Sequence, residues 1–530
     1  VSHRARLATL LILLCISTPY LFAARLAGRE AVFGGFLLNP QDGNSYLAKM
    51  YQGWRGDASF TLPYTAEPGP GAHLFLFYLW LGRLARWTGA SLIFAFHLAR
   101  LIGSVALLFS LQHFVIAYAP NTGWSDWCFA LAGFGLGLGW LLFPLGIIVS
   151  DFWIAEAYPF LSAYVNPHFA VSLALLLSLL TFGESKSRGL AVLFVLSVAA
   201  GFALSLLSPF GVILACLVMF GVLIWELALF LRTQRGPVFS SLPQFFNPAY
   251  EAFPQPRWIS IRLIGVFLGG APFLIYSFWV ARLHPQLAAW NAQNLTLTPA
   301  AWDVALGLSP VLLLAIPGAV WIIRQRQRRG MLPLIWIVIG LLLIYSPMGL
   351  QRRFMMGIYA PMVVLAAYGL QSLPPFLKQR APLAARLTFL LALPTSALIL
   401  AMGVFGALAR DPLLYLSASE SEAMRWIETH TPQDALVLCA PDTGMFIPAR
   451  TGRRVLYGHP FETVNAEQEK EQVLQFFQGG MASPQSFLIA RPVDYIFYGP
   501  RERTLGELPS SLPVEPVFSN SEVTIFRVEP

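Results

Sequence analysis

Apolar runs of span length, separated by short polar connections, fill this chain as far as residue 408. The runs lie at 7–26, 91–118, 129–149, 167–182, 190–207, 210–231, 263–281, 304–323, 332–348, 354–373 and 387–408. They predict about eleven transmembrane helices. The first polar connection is the long one. It holds 27–90 and contains an apolar stretch, 73–87, that Arg83 and Arg86 interrupt. Such a stretch predicts a helix lying in the membrane interface, not crossing it. Beyond residue 408 the pattern changes to short apolar segments. Runs at 435–440, 453–457, 495–498 and 523–528 predict strands, and 419–429 and 467–477 predict helices. Together 409–530 read as a small α/β domain. The whole is an α-helical polytopic membrane protein, with a membrane domain over 1–408 and this domain behind it.

Basic residues set the expected orientation. With the N-terminus in the cytoplasm, inside segments hold Arg4 and Arg6, Lys186 and Arg188, Arg232, Arg235, Arg257 and Arg262, Arg324, Arg326, Arg328 and Arg329, and Lys378, Arg380 and Arg386. The outside segment 150–166 has no Lys or Arg. An odd number of spans then puts 409–530 outside the cytoplasmic membrane. The first apolar run could be a signal peptide, but its length fits a retained anchor.

Composition narrows the function classes. Of 530 residues, 56% are hydrophobic and 12% charged, and the mean hydropathy is +0.61, far from a soluble globular chain. The net charge of +8 comes from orientation clusters and carries no nucleic-acid signal. Cys15, Cys128, Cys216 and Cys439 are scattered and define no disulfide framework. Nucleotide-binding loops, His-Glu-x-x-His, Cys-x-x-Cys and Gly-x-Ser-x-Gly are all absent.

Three outside-facing groups could carry chemistry. In the first, Asn39 and Pro40 read as N-cap and first residue of a helix, with Asp42 in its first turn and Tyr46 and Lys49 on the same face. Asp42 either complements the helix dipole or serves as a carboxylate that activates an acceptor or holds a metal. The second group is Asp151 and Glu156, followed by His168 at the start of the fourth span. It is a solvated loop or a cleft flanked by Trp153, Tyr158, Phe160 and Tyr164. The third is Arg352 and Arg353, two adjacent arginines outside, against the orientation rule. They snorkel from a helix end or bind a phosphate through the planar guanidinium fork. In the C-terminal domain, His459 and Glu462 lie in the turn Gly458-His459-Pro460-Phe461-Glu462-Thr463, which reads as turn chemistry before a site.

The layout resembles the GT-C superfamily of integral-membrane glycosyltransferases. It is similar to the group with protein O-mannosyltransferases, aminoarabinose transferases and the bacterial dolichyl-phosphate-mannose-type family. The resemblance rests on the first span, a long outside loop opening with Asp42, the interfacial helix over 73–87, and His97-Leu98-Ala99-Arg100-Leu101 at the start of the second span. It implies transfer of a sugar from a polyprenyl-phosphate carrier to a lipid, glycan or protein acceptor outside the cytoplasmic membrane. Asp42 would then be the catalytic carboxylate, and Arg352 or Arg353 would contact the carrier phosphate. Many such enzymes have two adjacent acidic residues in the first loop, whereas here Gly43 follows Asp42. Asp151 or Glu156 could supply the second carboxylate, and a divalent metal is possible but not specified. Alternatives from other classes are a lipid or glycolipid transporter without catalysis, and a receptor that binds through 409–530.

Overall fold

A computed structural model describes residues 2–181, 189–233, 246, 254–509 and 512–529. Lys186, Arg188, Arg235 and the end of the predicted span at Phe182 lie outside the described residues. The chain divides into two compact units. One contains Val1–Ser17, Ala99–Ile275 and Thr296–Ala401, and the other Thr18–Leu98, Tyr276–Leu295 and Met402–Pro530.

Six helices among the described residues are long and apolar enough to cross a membrane. They are His3–Leu26, Leu92–Tyr118, Leu190–Leu207, Pro209–Arg232, Pro256–Leu283 and Ala381–Leu408. Only 28–39% of each apolar window is buried, so most of each surface faces outward, as it does in helices solvated by lipid. This is a multi-pass membrane protein.

The other five predicted spans also contain helices, but short or broken ones. Ala301–Leu308 and Val311–Gln325 meet at a bend of 88° at Ser309-Pro310, and with that pair counted as one span the total is seven. Thr122–Phe134 stops at the glycine-rich run, after which the backbone bonds to neighbours: Leu136 N–H donates to Ala392 O (2.8 Å) and Leu138 N–H to Leu306 O (3.1 Å). A Cβ at Gly137 would stand 2.0 Å from Gly307 O, so this approach needs glycine. Pro167–Leu180, Arg328–Ile344 and Tyr359–Gln371 are 14, 17 and 13 residues long. The last starts late because a 3-10 turn, Gln351–Met355, and the left-handed Gly357 precede it.

The second unit joins the first polar connection to the C-terminal sequence. Strand β1 (Ala31–Phe33) pairs antiparallel with β2 (Tyr415–Ser417). A five-stranded sheet follows in the order β4-β3-β5-β7-β6, with β3 at Leu436–Leu438, β4 at Arg454–Val455, β5 at Tyr495–Tyr498, β6 at Val514–Ser519 and β7 at Thr524–Val528. β4, β3 and β5 run parallel, and β7 and β6 are antiparallel. Pro516 in β6 lacks an amide donor, which an edge strand tolerates.

Alternation along these strands divides the core in two. Val437, Phe497 and Ile525 enter one cluster; Leu436, Leu438 and Ile496 enter the other. Both faces of the sheet are therefore covered, which explains why β3 is apolar throughout. The first cluster also takes in Tyr64 from the first polar connection, and Val455 N–H donates to Pro63 O (3.1 Å).

Helices α1 (His3–Leu26), α2 (Pro40–Arg55) and α3 (Leu76–Thr88) open the chain. α2 and α3 cross almost backbone to backbone. A Cβ on Gly53 would lie 2.0 Å from Leu79 O, and one on Gly82 1.9 Å from Met50 O. Tyr78, Leu79, Leu81 and Ala85 of α3 are buried, while Trp80, Leu84 and Trp87 are exposed, the two-faced surface expected of an interfacial helix. Arg83 and Arg86 donate to backbone carbonyls of Asp57, Trp54 and Arg55.

Candidate functional site

Local sequence sets the start of α2. Asn39 occupies the left-handed region (φ 51°), Pro40 supplies the first helical φ, and Asp42 N–H points at Asn39 Oδ1 (3.5 Å). Asn39 Nδ2 donates to Asp42 Oδ2. The other carboxylate oxygen, Oδ1, is 3.0 Å from His459 Nε2. The His459 side chain is 3% exposed and that of Asp42 36% exposed, so the carboxylate has a buried neighbour on one side and solvent on another.

The turn carrying His459 is closed by its own hydrogen bonds. Thr463 Oγ1 accepts from Gly458 N–H (3.4 Å) and His459 N–H (3.3 Å), and Thr463 N–H donates to His459 O (3.0 Å). His459 Nδ1 accepts from Phe461 N–H (3.1 Å) and Glu462 N–H (3.2 Å). The turn meets α2 a second time where Glu462 Oε1 accepts from Lys49 Nζ (2.8 Å). Lys49 lies two helical turns beyond Asp42 and is completely buried. Its ammonium also bonds Ser45 Oγ (3.2 Å) and lies over the rings of Phe75 (4.4 Å), Tyr46 (5.1 Å) and Phe60 (5.6 Å). Tyr46 in turn stacks on Tyr78, with centroids 4.4 Å apart. Nearby Tyr64 is fully buried, which pushes its phenol far above the ordinary range.

The sequence placed Asp42, Tyr46 and Lys49 on one face, and they are there. It read His459 and Glu462 as turn chemistry, although the structure sets them against Asp42 and Lys49. The signal for such a pairing was faint: two polar, titratable residues in a turn otherwise built from Gly, Pro and Phe. The missing second acid after Asp42 has a steric cause. A Cβ at Gly43 would stand 2.2 Å from Phe36 Cγ, so no side chain fits there.

The first unit holds the remaining candidates. Glu156 Oε1 lies 3.8 Å from Arg352 Nε and 3.6 Å from Arg353 Nη1, and Glu156 O accepts from Gly357 N–H (2.8 Å). The Arg352 guanidinium also covers the Trp153 ring at 4.8 Å. One carboxylate thus faces two guanidinium groups. Asp151 is elsewhere: fully buried, its Oδ2 accepts from Gly139 N–H (3.1 Å). Burial pushes its carboxyl up to about 6 against the opposing hydrogen bonds from Thr395 and Gly139. His168 sits in the first turn of its helix with its ring against Phe169 (4.0 Å). Arg100 is buried and donates to carbonyls of Ile16 (3.0 Å), Ala163 (3.3 Å) and Tyr164 (3.3 Å), linking Leu92–Tyr118 to α1 and to the end of the short helix Pro159–Tyr164.

Among the described residues no group of three His, Cys, Asp or Glu could hold a metal ion. Asp42 has one hydrogen bond on each carboxylate oxygen, and Gly43 adds no second acid beside it.

No protein-family model matches the sequence, and no curated protein does. Solved structures do. The oligosaccharyltransferase of Archaeoglobus fulgidus in its apo form aligns with a TM-score of 0.52 at 14% identity, over 92% of this chain and 69% of that one. The archaeal oligosaccharyltransferase AglB from the same organism, in complex with an inhibitory peptide and a dolichol-phosphate, gives 0.51 at the same identity and coverage. ArnT from Cupriavidus metallidurans bound to undecaprenyl phosphate gives 0.48 at 11% identity, over 98% of this chain and 99% of that one. At these identities the likeness is one of fold. The chain shares the fold of the Archaeoglobus oligosaccharyltransferase.

Proposed function

We propose that this protein is a glycosyltransferase that moves a sugar from a polyprenyl-phosphate carrier to a lipid, glycan or protein acceptor. The proposed setting is the outer side of the cytoplasmic membrane, with the N-terminus in the cytoplasm and 409–530 outside. The observation that carries the reading is Asp42: a partly exposed carboxylate, oriented from two sides, in a chain that shares the fold of the Archaeoglobus oligosaccharyltransferase. The dolichol-phosphate bound to the Archaeoglobus enzyme supports a lipid-phosphate donor.

Asp42 is the proposed base. It takes the proton of the acceptor group as that group bonds to the anomeric carbon and the bond from that carbon to the phosphate oxygen breaks. The leaving group is polyprenyl phosphate, on which negative charge grows, and stabilising it calls for cationic donors. Arg352 and Arg353 are the proposed contacts for that phosphate, with the Glu156 carboxylate facing both guanidinium groups. Tyr46 and His168 are proposed substrate contacts. For Lys49, complete burial beside Glu462 favours holding α2 against its neighbours.

The deciding measurement uses purified protein and a panel of polyprenyl-phosphate-linked pentoses and hexoses, with release of polyprenyl phosphate as the readout. Asp42→Asn keeps the shape and removes the charge, and is expected to abolish release. Turnover close to wild type in that variant refutes the assignment. Lipid movement that persists in Asp42→Asn without any sugar transfer supports the transporter instead.

A further inference from the structure

The hydrogen bonds around His459 define its protonation. Nδ1 accepts from two backbone donors, Phe461 N–H and Glu462 N–H, at 3.1 and 3.2 Å. A nitrogen that accepts cannot carry the ring proton, so the proton is on Nε2. Nε2 is 3.0 Å from Asp42 Oδ1, and it therefore donates to that oxygen. Turning the ring into an imidazolium would require a proton on Nδ1, directed at two N–H groups, in a side chain only 3% exposed. His459 is thus a neutral donor to Asp42 and not its counter-ion.

That difference matters for a base. A full positive charge against Asp42 would hold its proton affinity down and weaken it. A neutral N–H fixes the carboxylate with a smaller effect. The turn is built to hold the ring in this state, because the two amides that select the tautomer belong to the turn that Thr463 closes and that Glu462 anchors on Lys49.

We propose that His459, from the C-terminal sequence, is a positioning residue for Asp42: a tautomer-locked neutral donor that sets the orientation of the carboxylate. The proposal rests on the reading of Asp42 as the catalytic carboxylate.

Two measurements test it. In protein labelled with 15N-histidine in detergent micelles at pH 7, the His459 ring is the signal lost in His459→Gln. It is expected to show a protonated Nε2 and an unprotonated Nδ1; a doubly protonated ring, or the opposite tautomer, overturns the proposal. In the polyprenyl-phosphate release assay, His459→Ala is expected to lower kcat about tenfold with KM little changed. His459→Gln, whose amide N–H reaches the same oxygen, is expected to recover most of it. Melting temperatures confirm that each variant is folded. Full turnover in His459→Ala overturns the proposal, as does equal impairment of Ala and Gln variants of equal stability. An active Asp42→Asn variant refutes the reading of Asp42 itself, so the two failures are distinct.

Discussion

Breaking the Lys49–Glu462 pair isolates the contribution of the second anchor between α2 and the C-terminal turn. The two charges are 2.8 Å apart, with side-chain exposures of 0% and 11%. At an effective dielectric of about 20 the gross attraction is about 6 kcal/mol. Desolvation of both ions cancels much of that. Removing one partner is different, because the other charge stays buried. In Glu462→Gln the ammonium keeps Ser45, the faces of Phe75, Tyr46 and Phe60 and at most a neutral amide oxygen, with the balancing charge gone. Breaking a buried pair in this way costs about 3–5 kcal/mol. For a unit of this size that is a fall of roughly 6–20 °C in the melting temperature. Lys49→Met should cost a similar amount, whereas the double variant, with no buried charge left, should lose clearly less than the sum. The assay is a double-mutant cycle of melting temperatures in one detergent. Strict additivity, or a Glu462→Gln variant as stable as wild type, refutes the reasoning.

Arg352→Lys or Arg353→Lys, at least one of them, should reduce polyprenyl-phosphate release about ten- to a hundredfold, and alanine further, since lysine keeps charge but loses the planar fork. Unchanged turnover in the double alanine variant means that the pair only snorkels. Glu502 is fully buried and accepts from Ala440 N–H, Thr443 Oγ1 and Gly499 N–H; burial raises its pKa against those bonds. The folded state therefore holds this proton more tightly than the unfolded chain. Its stabilising effect is present below about pH 4.3 and is lost as pH rises to the raised value. Over that window, melting curves of wild type against Glu502→Gln should move to the wild type's disadvantage as pH rises. For orientation, a reporter fused after Pro530 should be active outside the cytoplasmic membrane; activity confined to the cytoplasm reverses the proposed topology.

Much of this architecture was legible because it depends on local pattern. Apolar runs of span length announce a membrane protein whatever their partners. Asn39-Pro40 with Asp42 two residues on is a helix start written in three residues, and α2 begins there. The short apolar runs at 435–440, 495–498 and 523–528 marked β3, β5 and β7. Less legible were the places where backbone geometry overrides hydropathy. The run at 129–149 is apolar enough for a span, but its glycines let the backbone leave the helix and bond to neighbouring segments. The run at 304–323 is split by Pro310. β1 and β2 are three residues each, too short for periodicity to find, and β6 was hidden by its proline.

The sequence alone determined the solvent this chain folds in, the small α/β sheet at its end and the exposed start of α2, because each follows from periodicity or from neighbours within one helical turn. It could not pair residues 417 positions apart. That His459 faces Asp42, that Glu462 neutralises Lys49, and that Tyr64 enters the core of the C-terminal sheet were decided by tertiary structure. The reason is that a polar side chain in a turn has no periodic signature. Its partner is chosen only when burial makes an unpaired charge or donor too costly to leave unmatched.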